Sequence, residues 1–419
     1  MSSSATVQAF AHVISMTSDS LSDKTVVVGL NAAFQKRFVL PSSTPLTPGS
    51  VHRADRIEEG VGGKGQDVAV SLAQLWTNPA KRPLCLAQFV GSGPGGDAVM
   101  SLLEDTFGKR GNSGGDTSWD SLTVRTRSSM RTCTSIVGFD STTELVEPSG
   151  VIDEEEMKSL LRGIDALTSS SNGLEADAAA LVIMGSMPPG CAEDTYSNLC
   201  SAISGDRTRI LVDSVVGLKP LFTTLVAKRK SKSYNGECIL KINASELCRL
   251  AGVTRLDRGE TEGVTKEELN EAVQKFLTEY GTRSLDYMAI TDGGHPAYLV
   301  KLGENLRMYD LGIMDLAIDN NDLVLYPIGA GDTVAAATMS GLLHLKDGPS
   351  VSPLDDDCSK FLIHFRNSIE SDENDKDMLA AFAFGLACGS ASCLEQENSV
   401  FKTTEALTLL DKMLKPNLC

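Results

Sequence analysis

The sequence predicts an α/β protein in which a mainly parallel sheet is covered by helices. Three observations carry this. Short apolar runs at residues 25–30, 84–90, 180–184, 210–213, 239–242 and 287–291 alternate with amphipathic segments at 97–107, 154–167 and 266–280, the order of a βα succession. The runs are continuously apolar, as strands buried on both faces are, and lack the every-second-residue polarity of a half-exposed sheet. A chain of 419 residues with 42% hydrophobic content can bury one large core. One domain with insertions is therefore expected over residues 25–419, preceded by a disordered Ser/Thr-rich tail at 1–24.

The first run ends in Gly29-Leu30-Asn31-Ala32-Ala33-Phe34-Gln35. Gly62-Gly63-Lys64-Gly65 then opens an apolar-periodic helix with Val68, Leu72 and Leu75 on one face. It is not a Walker A loop, because Glu58 stands where the pattern needs Gly and Gly65 stands where Ser or Thr must follow the lysine. After the run at 84–90, Gly91-Ser92-Gly93-Pro94-Gly95-Gly96 satisfies the dinucleotide fingerprint G-x-G-x-x-G. The ribose-binding acid about 20 residues on should end a second strand. Asp116 and Asp120 instead fall in a glycine-rich stretch, 111–121, that reads as a flexible connection, so the dinucleotide reading is set aside. Two later stretches read as mobile insertions. One is basic, Lys228-Arg229-Lys230-Ser231-Lys232, within 228–237; the other is polar and acidic, 346–377, interrupted by Phe361-Leu362-Ile363-His364-Phe365.

Composition excludes several classes. A net charge of −17 repels phosphate backbones, which argues against nucleic acid as a partner. No apolar run approaches the roughly 20 residues that cross a bilayer, so no membrane role is expected. The 10 cysteines form neither C-x-x-C pairs nor Cys/His clusters and read as reduced core thiols. The tail lacks a basic segment followed by a long apolar one, and carries Asp19 and Asp23 but no Arg. A cytoplasmic location is expected, with organelle import by the tail kept as a second reading.

The chemistry concentrates in Tyr326-Pro327-Ile328-Gly329-Ala330-Gly331-Asp332-Thr333, a glycine turn opening an apolar helix. Glycines clear the approach for a ligand, and the free N–H groups of a first helical turn face negative charge. A carboxylate placed there suits a general base for an attacking hydroxyl, or else a helix N-cap. A second constellation, Lys241-Ile242-Asn243-Ala244-Ser245-Glu246, has the spacing of a capping box and equally of a phosphate and metal site.

Taken together these segments resemble the ribokinase/PfkB family of carbohydrate kinases, closest to its 1-phosphofructokinase and tagatose-6-phosphate kinase branch. Gly29–Gln35 is similar to that branch's N-P-x-x-D opening, Met184-Gly185-Ser186-Met187-Pro188-Pro189-Gly190 to S-G-S-L-P-P-G, and Lys241–Glu246 to K-P-N-x-x-E. Ile210-Leu211-Val212-Asp213-Ser214 looks like the strand before a D-T/S-x-G turn, and Cys388–Leu394 with Asn398 resembles the helix and loop flanking adenine. Gly96-Asp97 matches a glycine turn and Asp that the family also carries at that place. The resemblance runs from about Val26 to the C-terminus. It implies a ribokinase-like three-layer α/β/α sandwich with a small β lid near 34–58 and 123–139, ATP and Mg²⁺ as cosubstrate and cofactor, and a homodimer formed through the lid.

Residue roles follow from the same resemblance. Asp332 would take the hydroxyl proton, and Gly329, Ala330 and Gly331 would form the anion hole. The acceptor would meet Asn31, Gln35, Arg53, Gly62, Gly63, Lys64, Asp67, Arg131 and Ser186, with Arg53 and Arg131 as a guanidinium pair for a sugar phosphate. The nucleotide would meet Lys241, Asn243, Thr291, Gly293, Gly329, Gly331 and Asn398, while Asn243 and Glu246 hold magnesium through water. Gln35 replaces the family's Asp, and Asp67 its Asn. Both changes rewrite the hydrogen-bond code for the acceptor, because an ionised Asp only accepts. The expected activity is ATP-dependent phosphorylation of a sugar or sugar phosphate. A nucleoside or free-sugar kinase and a noncatalytic scaffold are the alternatives.

Overall fold

The computed structural model describes residues 11–14, 24–41, 46–78, 81–108, 119–138, 142–168, 177–253, 263–281, 283–303, 305–316 and 325–419. In chain order the elements are β1 (Ala11–Ile14), β2 (Thr25–Gly29), β3 (Ala33–Val39), β4 (Arg56–Gly62), α1 (Lys64–Leu75), β5 (Leu84–Ser92), α2 (Gly93–Gly108), β6 (Trp119–Ser129), β7 (Thr132–Val137), β8 (Thr142–Val146) and α3 (Glu154–Thr168). They continue with β9 (Ala180–Met184), α4 (Thr195–Ile203), β10 (Arg209–Asp213), α5 (Leu218–Lys230), β11 (Cys238–Asn243), α6 (Ala244–Leu250), α7 (Lys266–Tyr280), β12 (Tyr287–Asp292), β13 (His295–Lys301) and β14 (Arg307–Leu311). The chain closes with α8 (Ala330–Asp347), α9 (Asp356–Ser368), α10 (Glu373–Ser392), α11 (Thr403–Lys412) and β15 (Asn417–Leu418).

The main sheet has the order β1-β6-β5-β2-β9-β10-β11-β12-β13-β14-β15. Strands β6 through β12 in that order pair in parallel, and antiparallel strands finish both edges. Alternate strand residues feed two cores. Val27, Leu86 and Val182 face α1, α2 and α8–α11 on one side; Val26, Val28 and Leu181 face α3–α7 on the other. Covering both faces explains why the parallel strands read as unbroken apolar runs. The result is the three-layer α/β/α sandwich anticipated from sequence. Among the described residues no helix is long and apolar enough to cross a membrane.

A separate sheet, β4-β3-β7-β8, forms the lid. Strand β3 alternates strictly, burying Ala33, Gln35, Arg37 and Val39, and β7 buries Cys133, Ser135 and Val137. Polar side chains on a buried strand face mark this face as the roof of a site.

Four expectations change. Residues 123–129 belong to β6 of the main sheet, because Leu122 and Val124 pack in the core and Thr123 bonds Gln88 of β5 at 2.9 Å; the lid gains β8 instead. The tail expected to be disordered supplies β1, antiparallel to β6. The basic run is no loop: Lys228, Arg229 and Lys230 are the last turn of α5, whose Leu221, Phe222 and Leu225 are buried at helical spacing. Cations suit that end of a helix, and Arg229 also donates to Asp286 at 3.1 Å. The acidic stretch contains α9, capped by Asp355 and anchored by buried Leu362 and Phe365. The connection expected at 111–121 lies largely outside the described residues.

Candidate active site

Three chain reversals, before α1, after β10 and before α8, meet at the carboxyl ends of the parallel strands and build the site. Strand β2 ends at Gly29, against which Gly65 of α1 packs so closely that a Cβ on Gly65 would lie 2.3 Å from the Gly29 Cα. That approach explains the glycine after the lysine, and Gly63, at φ 113, is the left-handed hinge before it. The hinge aims Lys64 across the strand ends, where its Nζ donates to Asp213 Oδ1 at 2.7 Å. Asp213 ends β10 and is 1% exposed. Its other oxygen accepts from Lys241 Nζ of β11 at 2.6 Å. Burial opposes ionisation of Asp213, but Lys241 and then Lys64 outweigh it and hold the carboxyl below its usual range.

The third reversal is the glycine turn. Gly329, at φ 84, is the N-cap of α8 without a side-chain cap, so Asp332 is not a cap but lies within the first turn. The Gly329 carbonyl accepts from Ser399 Oγ at 3.0 Å and Thr333 Oγ1 at 3.1 Å, which fixes the turn against the C-terminal loop. Ala330 donates its N–H to the Pro327 carbonyl at 3.1 Å. It therefore drops out of the expected anion hole, whose other members, Gly329 and Gly331, line the cavity beside Asp332. A Cβ on Gly331 would stand 2.9 Å from Lys241 Nζ, so the ammonium sits close against the turn. The Asp332 carboxyl is pushed up to about 7, first by desolvation, then against the opposing pull of Lys64.

A cavity of about 640 Å³ joins these groups to the lid. Of the residues expected in the site, it is lined by Asn31, Gln35, Gly63, Lys64, Asp67, Arg131, Ser186, Lys241, Asn243, Glu246, Thr291, Gly329, Gly331, Asp332 and Asn398. Asn31 Nδ2 donates to Ser186 Oγ at 2.8 Å, and Gln35 Nε2 to Ser135 Oγ at 2.6 Å. The N-x-x-E pair is a true capping box: Asn243 accepts from the Glu246 N–H at 2.7 Å, and Glu246 Oε2 from the Asn243 N–H at 3.3 Å. Its remaining carboxylate oxygen, Oε1, stands 3.9 Å from Lys64 Nζ, inside the cavity.

Other expected residues are placed elsewhere. Arg53 is exposed, precedes β4 and does not line the cavity. Gly62 packs under Gln35 instead of facing a ligand, and Gly293 is a left-handed residue in the β12–β13 turn, surrounded by open space. Arg131 reaches the site but donates Nε to the Ala32 carbonyl at 3.2 Å and Nη2 to that of Asn31 at 2.7 Å. Asp67 behaves unlike an ordinary carboxylate: burial first, then Asp332 and Glu144, hold it well above its usual range.

The sequence reading missed Asp213 and Arg37 as members of the site. Asp213 had a signal, an acid closing an apolar run. Arg37 had its alternation within β3, yet nothing local showed that it binds Glu58 at 3.2 Å and Asn398, or that it lies 5.7 Å from the Tyr326 ring centroid.

Among solved structures the chain is similar to a point mutant of phosphofructokinase-2 from Escherichia coli, at 18% identity and TM-score 0.61, over 93% of this chain and 98% of that one. It is also similar to a possible 1-phosphofructokinase from Thermotoga maritima, at 15% identity and TM-score 0.60, over 94% and 99%. Ribokinase from the same organism matches at 15% identity and TM-score 0.56, over 93% and 99%. These likenesses show a shared ribokinase-like fold. A family model described as pfkB family carbohydrate kinase matches residues 130–403, about two thirds of the chain and including the lid strands β7 and β8, Asp213, Lys241 and the glycine turn. This chain belongs to the pfkB family of carbohydrate kinases, phosphotransferases with an alcohol group as acceptor.

Proposed function

We propose that the protein transfers the γ-phosphoryl group of ATP to a hydroxyl of a sugar or sugar phosphate, with Asp332 as the base. The observation that carries this reading is a carboxylate buried at the head of α8, raised to about 7, between the lid cavity and the unspent amides of its own first turn. A base near neutrality is both ionised and willing to take a proton at working pH. As the acceptor oxygen bonds to phosphorus its proton passes to Asp332, and the bond to the bridging oxygen breaks with its electron pair leaving on ADP. The Gly331 and Asp332 amides face the equatorial oxygens, with the positive end of α8 behind them. Lys241 sits against the turn and would meet the nucleotide phosphates, with Asp213 holding it and Lys64 in place.

Among the described residues no group of three or more His, Cys, Asp or Glu side chains is placed to hold a metal ion. The donor set therefore does not fit a metal caged by protein alone. It fits a hydrated Mg²⁺ carried by the nucleotide phosphates, with Glu246 Oε1 as a partner through water. Such an ion would neutralise phosphate charge. Asn243 and Glu246 contribute by fixing each other across the start of α6.

Among acceptors, one observation favours a free sugar over a sugar phosphate. Arg53 stands outside the cavity, and Arg131 is already bound to two carbonyls. Incubation with MgATP and a panel of free and phosphorylated sugars should release ADP in step with a phosphorylated product. No product from any acceptor would sink the kinase reading, and nucleotide binding without turnover would favour the scaffold alternative.

A further inference from the structure

The acceptor end of the cavity carries two carboxylates, the buried Asp67 and the exposed Glu144, beside one guanidinium, Arg131. Asp67, in the first turn of α1, is 5% exposed and lines the cavity. Among the described residues its carboxylate accepts no hydrogen bond and makes no ion pair; it senses only charge, repelled by Asp332 and Glu144 and attracted by Arg37. Glu144 of β8 lines the same cavity, also without an ion pair, on the lid face opposite Ser135. The two lysines that line the cavity are ion-paired with Asp213, while Arg131 bonds only to the neutral carbonyls of Asn31 and Ala32.

Asp67 also faces a second cavity, of about 840 Å³, whose walls add Glu58, Glu59, Asp105, Glu395 and Glu397. The guanidinium that faces it, Arg37, is bound to Glu58 and Asn398. Glu58, Glu59 and Glu395 are ion-paired with Arg37, Lys36 and Lys402, so the charges that act on Asp67 from the cavity are those of Asp332 and Glu144. A buried carboxylate without a partner is costly, and a cation brought by the ligand relieves that cost, whereas a phosphate brought to the same place meets repulsion.

We infer that the acceptor is an unphosphorylated sugar bearing a protonated amine, which seats against Asp67 and Glu144 while the hydroxyl to be phosphorylated faces Asp332. The hydroxyl half of this statement rests on the kinase reading above; the amine half rests on the charge pattern alone. The amine takes no part in bond making, and the proton, phosphoryl group and ADP move as already described.

The test is isothermal titration of the full chain with D-glucosamine, D-glucose and D-fructose 6-phosphate at one pH and ionic strength, beside turnover of each with MgATP. One desolvated charge pair should make glucosamine bind about tenfold tighter than glucose, with the sugar phosphate weakest. Asp67→Asn and Glu144→Gln should each shrink that preference, and together bring it to within about twofold, while glucose binding persists and shows that the variants fold. Equal binding of glucosamine and glucose, tighter binding of fructose 6-phosphate, no binding of any of the three, or a preference that survives both substitutions would overturn the inference. Preferred binding of glucosamine with no sugar phosphorylated would support the amine site and overturn the kinase reading. Faster phosphorylation of glucose or fructose 6-phosphate than of glucosamine would do the reverse.

Discussion

The two halves of the cavity differ in how completely their charges are matched. On the strand side Asp213 holds Lys64 and Lys241 in one buried lattice, and Asp332 stands beside it against a turn fixed by Ser399 and Thr333. On the lid side Asp67 and Glu144 have no ion partner among the described residues, Arg131 is bound to backbone and Arg37 to Glu58. The matched half can hold its geometry without a ligand, as preorganised phosphoryl transfer requires. The unmatched half is completed only by what binds there, so specificity belongs to it.

The comparison breaks most sharply at Asp332. Asp332→Asn should lower kcat by about 10²–10⁴ while leaving nucleotide affinity nearly unchanged, as steady-state kinetics and a nucleotide titration would show. A loss of less than tenfold would mean that the strand side is not the catalytic half. The same substitution should stabilise the protein above neutral pH. The Asp332 carboxyl is raised from its ordinary 3.8 to about 7, so between those values the folded state holds a proton that the unfolded state has released. Stability therefore falls as pH rises through that window. At pH 8 the variant should exceed the wild type by an amount on the order of 2–4 kcal/mol, measured by urea unfolding, with the difference gone below pH 4.

Asp213→Ala should come next, because it strands two ammonium groups in the lattice. Roughly 3 kcal/mol of stability should be lost, together with most activity. Stability within about 1 kcal/mol of the wild type would show that the lattice is not a matched unit. A third effect is a pH profile: kcat/KM should fall about tenfold per pH unit below the Asp332 value and level off above it. Asp67 is held above its usual range as well, so its Asn variant should keep this limb while the Asp332 variant loses it.

The lid side sharpens the comparison with smaller effects. Arg131→Ala frees the carbonyls of Asn31 and Ala32, so acceptor KM should rise by about tenfold with a smaller change in kcat. Arg53→Ala should change neither parameter by more than about twofold, since the residue is exposed and outside the cavity. A large rise in acceptor KM in that variant would return Arg53 to the site and with it the case for a phosphorylated acceptor.

The parallel strands were legible because each is buried on both faces and continuously apolar. The edges were not: β1 and β6 carry polar residues, and only pairing partners distant in sequence assign them to the main sheet. The basic end of α5 and the acidic flank of α9 misled for a related reason, since a charged stretch reads as a loop until its sparse buried residues are seen to share one face. The N-x-x-E spacing fitted both a cap and a phosphate site, and the structure shows the cap while placing both residues on the cavity wall.

By itself the sequence determined the family and the glycine turns, and it singled out Asp332 as the expected base, because backbone geometry at Gly63, Gly329 and Gly331 and the chemistry of one carboxylate are local properties written in a few adjacent residues. Only the tertiary structure decided which charges find partners. Lys64, Asp213 and Lys241 come from the start of α1, the end of β10 and the body of β11, Arg131 turns to backbone carbonyls, and Arg53 turns away. Electrostatic pairing depends on distances of a few ångströms between residues far apart in sequence, 149 positions for Lys64 and Asp213, and spacing along a chain carries no record of those distances.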